Sequence, residues 1–363
     1  MPIRRFLSRL AKGVAALAGA LFLVAALEYQ LFGYAASVMR HEFSTLSGSE
    51  MTQTTPADVL ATHGGADDRS LSFLATGDIA RCARTDLAGR ILPATSEQFG
   101  FRGTMAPDHA DAASSAEFAA ALPDLPVLAV GDLVYARGTP GEFSECFDAT
   151  WGKLHARILP APGNHEYGTP GAFGYFDYWG AQAGDDRRGY YAVHWRNWLM
   201  LSLNSEVDAS PGSAQAEWLT QELAKAPDAC VMAFFHRPAH SLQGKRRGME
   251  NATHLFALLQ QAGGSFVING HNHLYERTEP LDAAGAVDAA HGMISFTVGT
   301  GGIQGGAGPE ALPVETGAAI FGTVGLLRVE LTAERFAWWF HRSSDGLVMD
   351  QGAAPCIGRH PAI

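Results

Sequence analysis

The sequence predicts an α/β domain built in layers, on three observations. Short apolar runs recur from residue 70 onward, each ending in Gly joined to Asp or Asn, or in His. Stretches with apolar residues at three- and four-residue spacing lie between them, and the chain closes on further β-rich runs. Taken in order, residues 71–75 run into Gly77-Asp78, and residues 126–130 into Gly131-Asp132-Leu133-Val134-Tyr135. Residues 158–161 lead to Gly163-Asn164-His165-Glu166, residues 231–235 to His236, and residues 266–268 to Gly270-His271-Asn272-His273. Helical spacing predicts helices over 143–158, over 213–225 with Ser213 as N-cap, and over 253–262. Residues 293–298, 325–331 and 335–340 read as strands that complete a second sheet. In such a fold, ligands bind beyond the carboxyl ends of strands, which is where the Asp, Asn and His residues fall.

The chain has 363 residues, 47% of them hydrophobic and 17% charged, so it has apolar surface for a sizeable core and no signature of disorder. Its 37 acidic and 26 basic residues leave a net charge of -11. That is the opposite of the footprint of a duplex-binding protein, so no nucleic-acid partner is expected and an anionic substrate must be held locally, by metal. Arg4, Arg5, Arg9 and Lys12 precede an apolar run over 13–27, and after Glu28 a second run reaches Met39. Residues 1–43 therefore read as an uncleaved signal anchor, with a cleaved signal peptide as the alternative. Either exports the rest of the chain to a periplasmic or cell-surface location, with membrane contact through the N-terminal segment. No obligate protein partner is inferred. Residues 44–69, rich in Ser, Thr, Gly and Asp with Pro56, read as a flexible linker, residues 70–357 as the globular domain and 358–363 as a tail.

The four cysteines, Cys82, Cys146, Cys230 and Cys356, contain no C-x-x-C pair. Export permits disulfides. Of three pairings, the expected one joins Cys82 to Cys146 and Cys230 to Cys356; four buried thiols are the alternative.

Singly, each strand-end motif has a dull explanation as a turn, and a His after an apolar strand is commonly a capping or core residue. Together they supply two Asp, one Asn, one Tyr and three His as mixed oxygen and nitrogen donors, which suit Fe, Mn or Zn. Seven ligands exceed one tetrahedral site and are about right for two adjacent metals that share a carboxylate and a water-derived hydroxide.

These blocks resemble the calcineurin-like metallophosphoesterase superfamily, and within it the purple acid phosphatase-like branch, over about residues 70–356. The run 146–175, with Thr150-Trp151-Gly152 and Gly174-Tyr175, is similar to a bacterial subgroup of exported members. The resemblance implies a layered β-sandwich of two mixed sheets flanked by helices, here preceded by the N-terminal apolar anchor helix. It implies that Asp78, Tyr135 and His273 hold one metal, that Asn164, His236 and His271 hold the other, and that Asp132 bridges and is essential to catalysis. His165 then acts on the substrate as an acid or orienting group. Many relatives place a metal-binding His where this chain has Ala80; Tyr135 stands where the purple branch supplies a phenolate, which favours Fe(III), with Fe(II), Zn or Mn at the other position. Ala80 also replaces the second Gly of that branch's first motif, where the backbone approaches closely. In place of the substrate-contacting histidines of that branch, this chain has a cationic stretch with Lys245, Arg246 and Arg247, and His240 stands nearby; these are the expected substrate contacts, a solvated loop being the alternative for the cations. Tyr275, Glu276 and Arg277 are expected to support the paired histidines. The Gly299–Gly302 turn is expected to be scaffold. Trp179, Tyr175 and Trp195 are core residues or border a substrate groove. The function implied is hydrolysis of phosphate monoesters by a metal-held hydroxide on a small phosphorylated substrate. A phosphodiesterase or nucleotidase using the same site is the alternative, and an inactive membrane-tethered binding protein is the alternative of another class.

Overall fold

The structure, a computed structural model, describes residues 54–64, 69–84, 105–108, 110–242, 249–309 and 311–358. The expected anchor segment over residues 1–43 lies outside them. Among the described residues no helix is long and apolar enough to cross a membrane.

The body begins earlier than expected. Part of the stretch read as a linker is a helix, α1 (Pro56–His63), closed by a reciprocal cap in which Thr55 N donates to Asp58 Oδ2 at 2.9 Å and Asp58 N donates to Thr55 Oγ1 at 3.3 Å. Val59 and Leu60 on this helix are buried against the core between the sheets. Eight residues are too few for helical periodicity to stand out, and the signal lies in the Thr55-Pro56-x-Asp58 cap.

Two sheets face each other. The first runs in the order β16-β15-β14-β1-β4-β6, with β1 (Leu71–Thr76), β4 (Val127–Val130) and β6 (Ile158–Ala161) mutually parallel. Its remaining strands, β14 (Gly325–Leu331), β15 (Arg335–Arg342) and β16 (Val348–Pro355), are an antiparallel meander laid on the free edge of β1, with Leu71 opposite Leu331. The second sheet runs β13-β11-β12-β10-β9-β8-β7. Its parallel centre is β8 (Trp198–Ser202), β9 (Cys230–Phe234), β10 (Gly264–Asn269) and β12 (Ile294–Val298), flanked by antiparallel β7 (Tyr191–Trp195) and β11 (Tyr275–Thr278), with β13 (Thr316–Ile320) antiparallel to β11 at the edge. A small sheet joins β2 (Ala80–Arg84), β3 (Met105–Asp108) and β5 (Val134–Tyr135).

The C-terminal strands thus divide between the sheets, which corrects the expectation that all three complete the second one. β12 does so, whereas β14 and β15 cover the edge of β1. An open edge exposes unpaired N–H and C=O groups, and the composition of a strand does not say which edge it will cover.

The three cores follow from this layering. Phe73, Leu128, Met232, Phe266, Phe296 and Trp338 fill the space between the sheets. α2 (Ala110–Ala120), the helical turns over 140–157 and α3 (Phe173–Trp179) cover the outer face of the first sheet. The expected continuous helix over 143–158 is in fact a broken series of α, π and 3-10 turns. Tyr175 and Trp179 are fully buried there and border no groove. α4 (Ala214–Lys225), capped by Ser213 as predicted, and α5 (Glu250–Gln261) cover the second sheet. Ala80, where a close backbone approach was in question, is buried in the outer core with its N–H donating to Leu133 O at 3.1 Å.

Cys82 is bonded to Cys146 and Cys230 to Cys356, the expected pairing. A polar tie also crosses between the sheets. On β16, Asp350 Oδ2 accepts from Tyr275 Oη at 2.6 Å, Arg277 Nε at 2.9 Å and Trp338 Nε1 at 3.1 Å. Tyr275 and Arg277 are two residues apart on β11, so they share a face. Arg277 is therefore committed to the opposite sheet and not to the paired histidines, contrary to the expected role.

Burial opposes ionisation of Asp350, but its bonds from Arg277 and Tyr275 prevail and hold the carboxyl below its ordinary value. A carboxyl depressed in the folded state contributes stability above its unfolded value of about 3.9, and the contribution is lost as pH falls through the folded value. Asp350→Asn is expected to cost about 2 kcal/mol at pH 7, the worth of hydrogen bonds to a charge. Denaturant unfolding checks this, and the gap between variant and wild type should narrow toward pH 3.

Candidate metal centre

The parallel strands of both sheets end at one edge of the sandwich, where their following turns meet. Asp78 lies just after β1 and Asp132 just after β4, with φ of 58° and 50°. His271, after β10, has φ of 69°. These left-handed backbones are unusual for residues other than Gly, though Asp and Asn tolerate them best, and such strain gathers at functional sites. The turns also demand small neighbours. A Cβ on Gly131, itself at φ +86°, would lie 2.6 Å from His236 Cβ, and one on Gly163 would collide with Asp132 Oδ1.

The fully buried carboxylate of Glu166 ties two of these turns together. It accepts from the backbone N–H of Asp132 (2.9 Å), Leu133 (2.9 Å), Val134 (3.3 Å) and Gly163 (2.7 Å). Burial and the neighbouring Asp132 push its proton affinity up, while the amide donors pull the other way. The motif Gly163-Asn164-His165-Glu166 does not by itself assign Glu166 this role. The available signal is a lone carboxylate directly after Gly163-Asn164-His165, which must find donors if buried.

All seven expected ligands converge. Asp78 Oδ1 accepts from Tyr135 Oη at 2.7 Å and lies 3.2 Å from His273 Nε2, and Tyr135 Oη is 3.1 Å from the same nitrogen. Asp132 Oδ2 stands between this group and the next, 3.2 Å from Tyr135 Oη and 3.0 Å from His236 Nε2. His236 Nε2 is 3.3 Å from both Asn164 Oδ1 and His271 Nδ1. One ligand atom from each of Asp132, His236 and His271 falls within 4.8 Å of the others. His236 Nδ1 faces Val130 O at 3.1 Å, which turns Nε2 inward.

The electrostatics call for positive charge. Burial opposes ionisation of both Asp78 and Asp132, yet His273 beside the first and His236 beside the second hold the carboxyls below their ordinary range. Burial, then Asp78 and Asp132, push the Tyr135 phenol up, so making it a phenolate requires a strong cation against it. Burial, with His236 and Arg237 nearby, pushes His271 down to about 3 and keeps its ring neutral, as a ligand must be. Two overlapping donor groups around one shared carboxylate fit a pair of metal ions.

His165 sits at the rim. Its Nδ1 faces Ala136 O at 2.6 Å, its ring packs 4.1 Å from that of Tyr135, and its Nε2 is 3.8 Å from Asp132 Oδ2. Glu276 reaches the segment of the paired histidines through Ser241: it accepts from Ser241 Oγ at 2.7 Å, and Ser241 Oγ accepts from Asn272 Nδ2 at 2.7 Å. The Gly299–Gly302 turn buttresses Asp78, with Gly301 N donating to Gly77 O at 2.8 Å.

One other expected contact, His240, is not at the centre. His240 packs edge-on against Phe256 on α5, with ring centroids 4.8 Å apart, because the chain after His236 turns under that helix. Lys245 and Arg246 lie outside the described residues. Arg237 was missed: its Nη1 lies 3.2 Å from His271 Nε2.

Glu166→Gln places an NH2 group among four N–H donors. It is expected to cost about 2–3 kcal/mol, the penalty of a buried polar mismatch, and to lower metal content, both read by unfolding and by elemental analysis of the purified variant.

A family model for the calcineurin-like phosphoesterase matches residues 71–275, more than half of the chain. No curated protein matches the sequence. Similar solved structures include a purple acid phosphatase from yellow lupin (Lupinus luteus) seeds, 17% identical with a TM-score of 0.60, covering 80% of this chain and 54% of that one. This chain thus spans about half the length of the lupin protein. GAP50, the anchor in the inner membrane complex of Plasmodium, is 15% identical with a TM-score of 0.52, covering 81% of this chain and 90% of its own. PhoD is 12% identical with a TM-score of 0.50, covering 81% and 71%. At these identities the likeness is one of fold. With the family model matched across every strand-end motif, the chain belongs to the calcineurin-like phosphoesterase family.

Proposed function

We propose that the protein hydrolyses phosphate monoesters, with Asp78, Tyr135, His273 and Asp132 holding one metal ion and Asp132, Asn164, His236 and His271 holding the other. The observation that carries this reading is the position of Asp132 Oδ2, 3.2 Å from Tyr135 Oη in one donor group and 3.0 Å from His236 Nε2 in the other. A bound metal pair would polarise the phosphoryl oxygens and make water nucleophilic near neutral pH. The phenolic donor supports Fe(III) at the Tyr135 position, as in the purple branch, with Fe(II), Zn or Mn at the other.

The residues of the chain do the rest. Glu166 and the left-handed turns hold the ligands before substrate arrives, so no reorganisation is needed during reaction. His165 serves the leaving group: with its Nδ1 proton held by Ala136 O, Nε2 is the position at which a proton can be carried and passed to the departing alkoxide. Its side chain is 31% exposed, enough to meet a substrate at the surface of the site.

We further propose that residues 1–43 export the domain, as an anchor or a cleaved signal. The two disulfides support an oxidising compartment.

Hydrolysis of a chromogenic phosphate monoester and of the matching diester tests the reading. Monoester turnover is expected to exceed diester turnover, and Asp132→Asn is expected to abolish both with loss of metal. His165→Ala should keep its metal and lose about a hundredfold or more in rate, the usual worth of a general acid. Diester preference would make the protein a phosphodiesterase. A metal-loaded wild type that turns over neither ester would support a binding protein instead.

A further inference from the structure

An ion pair beside the ligand cluster has no part in the reaction as derived so far. Arg237 directly follows His236, and its Nε donates to both carboxylate oxygens of Glu206, at 2.8 and 3.0 Å. The two side chains are only 12% and 8% exposed. Glu206 is fixed in turn, accepting from Ser205 Oγ at 3.0 Å, while its own N–H donates to Asn204 Oδ1 at 3.1 Å. The backbone N–H of Arg237 donates to Ser205 Oγ at 3.1 Å. The guanidinium is thereby aimed, with Nη1 3.2 Å from His271 Nε2.

Stability alone does not account for this arrangement. Withdrawing an Arg–Glu pair from water costs desolvation energy that mutual attraction often fails to return. What the pair does achieve is orientation. Nε is engaged by Glu206, which places the Nη end of the fork, beside His271, at the edge of a centre built to hold an anion. Arginine forks match phosphoryl oxygens geometrically, through parallel charge-assisted N–H···O bonds.

We propose that Arg237 receives the substrate's phosphoryl oxygens on the His236–His271 side of the site, with Glu206 fixing its orientation, and so favours monoesters over diesters. A monoester carries a second anionic oxygen for the guanidinium, whereas in a diester that oxygen is esterified and uncharged. The inference rests on the phosphoester reading above and names the residue that sets its preference.

The test is calorimetric binding of inorganic phosphate to the metal-loaded full chain, with metal content measured on the same samples. Arg237→Met is expected to weaken phosphate binding about ten- to a hundredfold, the loss of charge-assisted hydrogen bonds, with metal content unchanged. Unchanged phosphate affinity overturns the proposal. So does lost metal with unchanged affinity per loaded site, since Arg237 would then only buttress His271. If Arg237→Met does not fold, Arg237→Lys decides: it keeps the charge and loses the fork, so a weakening of about fivefold is expected and wild-type affinity overturns the proposal. Phosphate binding requires no turnover. A wild type that binds phosphate through Arg237 yet hydrolyses no ester would refute the hydrolase reading and leave this one standing.

Discussion

Four backbone amides from two separate turns meet on one buried carboxylate, that of Glu166, and the geometry of the site depends on that convergence. The amides of Asp132, Leu133 and Val134 fix the turn after β4, and that of Gly163 fixes the turn after β6. Asp132 is held in a left-handed backbone that costs about 1–2 kcal/mol, which the Glu166 bonds help to offset. From there the order propagates: Asp132 Oδ1 accepts from His165 N at 2.8 Å, and Asp78 Oδ2 accepts from His271 N at 2.8 Å. The end of β4 is thus pinned to that of β6, and the end of β1 to that of β10, by carboxylates accepting main-chain protons.

This wiring gathers buried carboxylates beside imidazoles whose positive charge holds them ionised. Asp78, Asp132 and Glu166 are buried side by side with the imidazoles of His236 and His271 among them. In a medium of low polarity such groups need each other or a cation. Two cations at the centre would satisfy the carboxylates, make the Tyr135 phenolate accessible and keep the histidines neutral. The electrostatic requirement and the chemistry of phosphoryl transfer therefore point to the same occupants.

Much of this was legible in the sequence, because the ligands sit where apolar runs stop, and a run that ends in Gly-Asp or Gly-Asn-His marks a strand end. Asp78, Asp132, Tyr135, Asn164, His236, His271 and His273 all belong to such motifs and all converge. What was hidden depended on tertiary pairing. The edge taken by β14 and β15 is set by what β1 leaves open, which no local pattern records. The alternation of β11 sends Glu276 toward Ser241 and Arg277 toward Asp350, and adjacent residues in a motif need not share a task. α1 was hidden for a different reason: its cap was written in the sequence but its apolar face is only two residues wide. Arg237 carried no motif, and only its distance from His271 reveals it.

The central claim is that two metal ions flank Asp132. Anomalous diffraction from crystals of the full chain, grown with metals present, measures this most directly. The account predicts two peaks, one within coordinating distance of Asp78, Tyr135 and His273 and the other of Asn164, His236 and His271, both about 2.0–2.2 Å from Asp132 oxygens. A single peak, or two peaks of which neither touches Asp132, would contradict it.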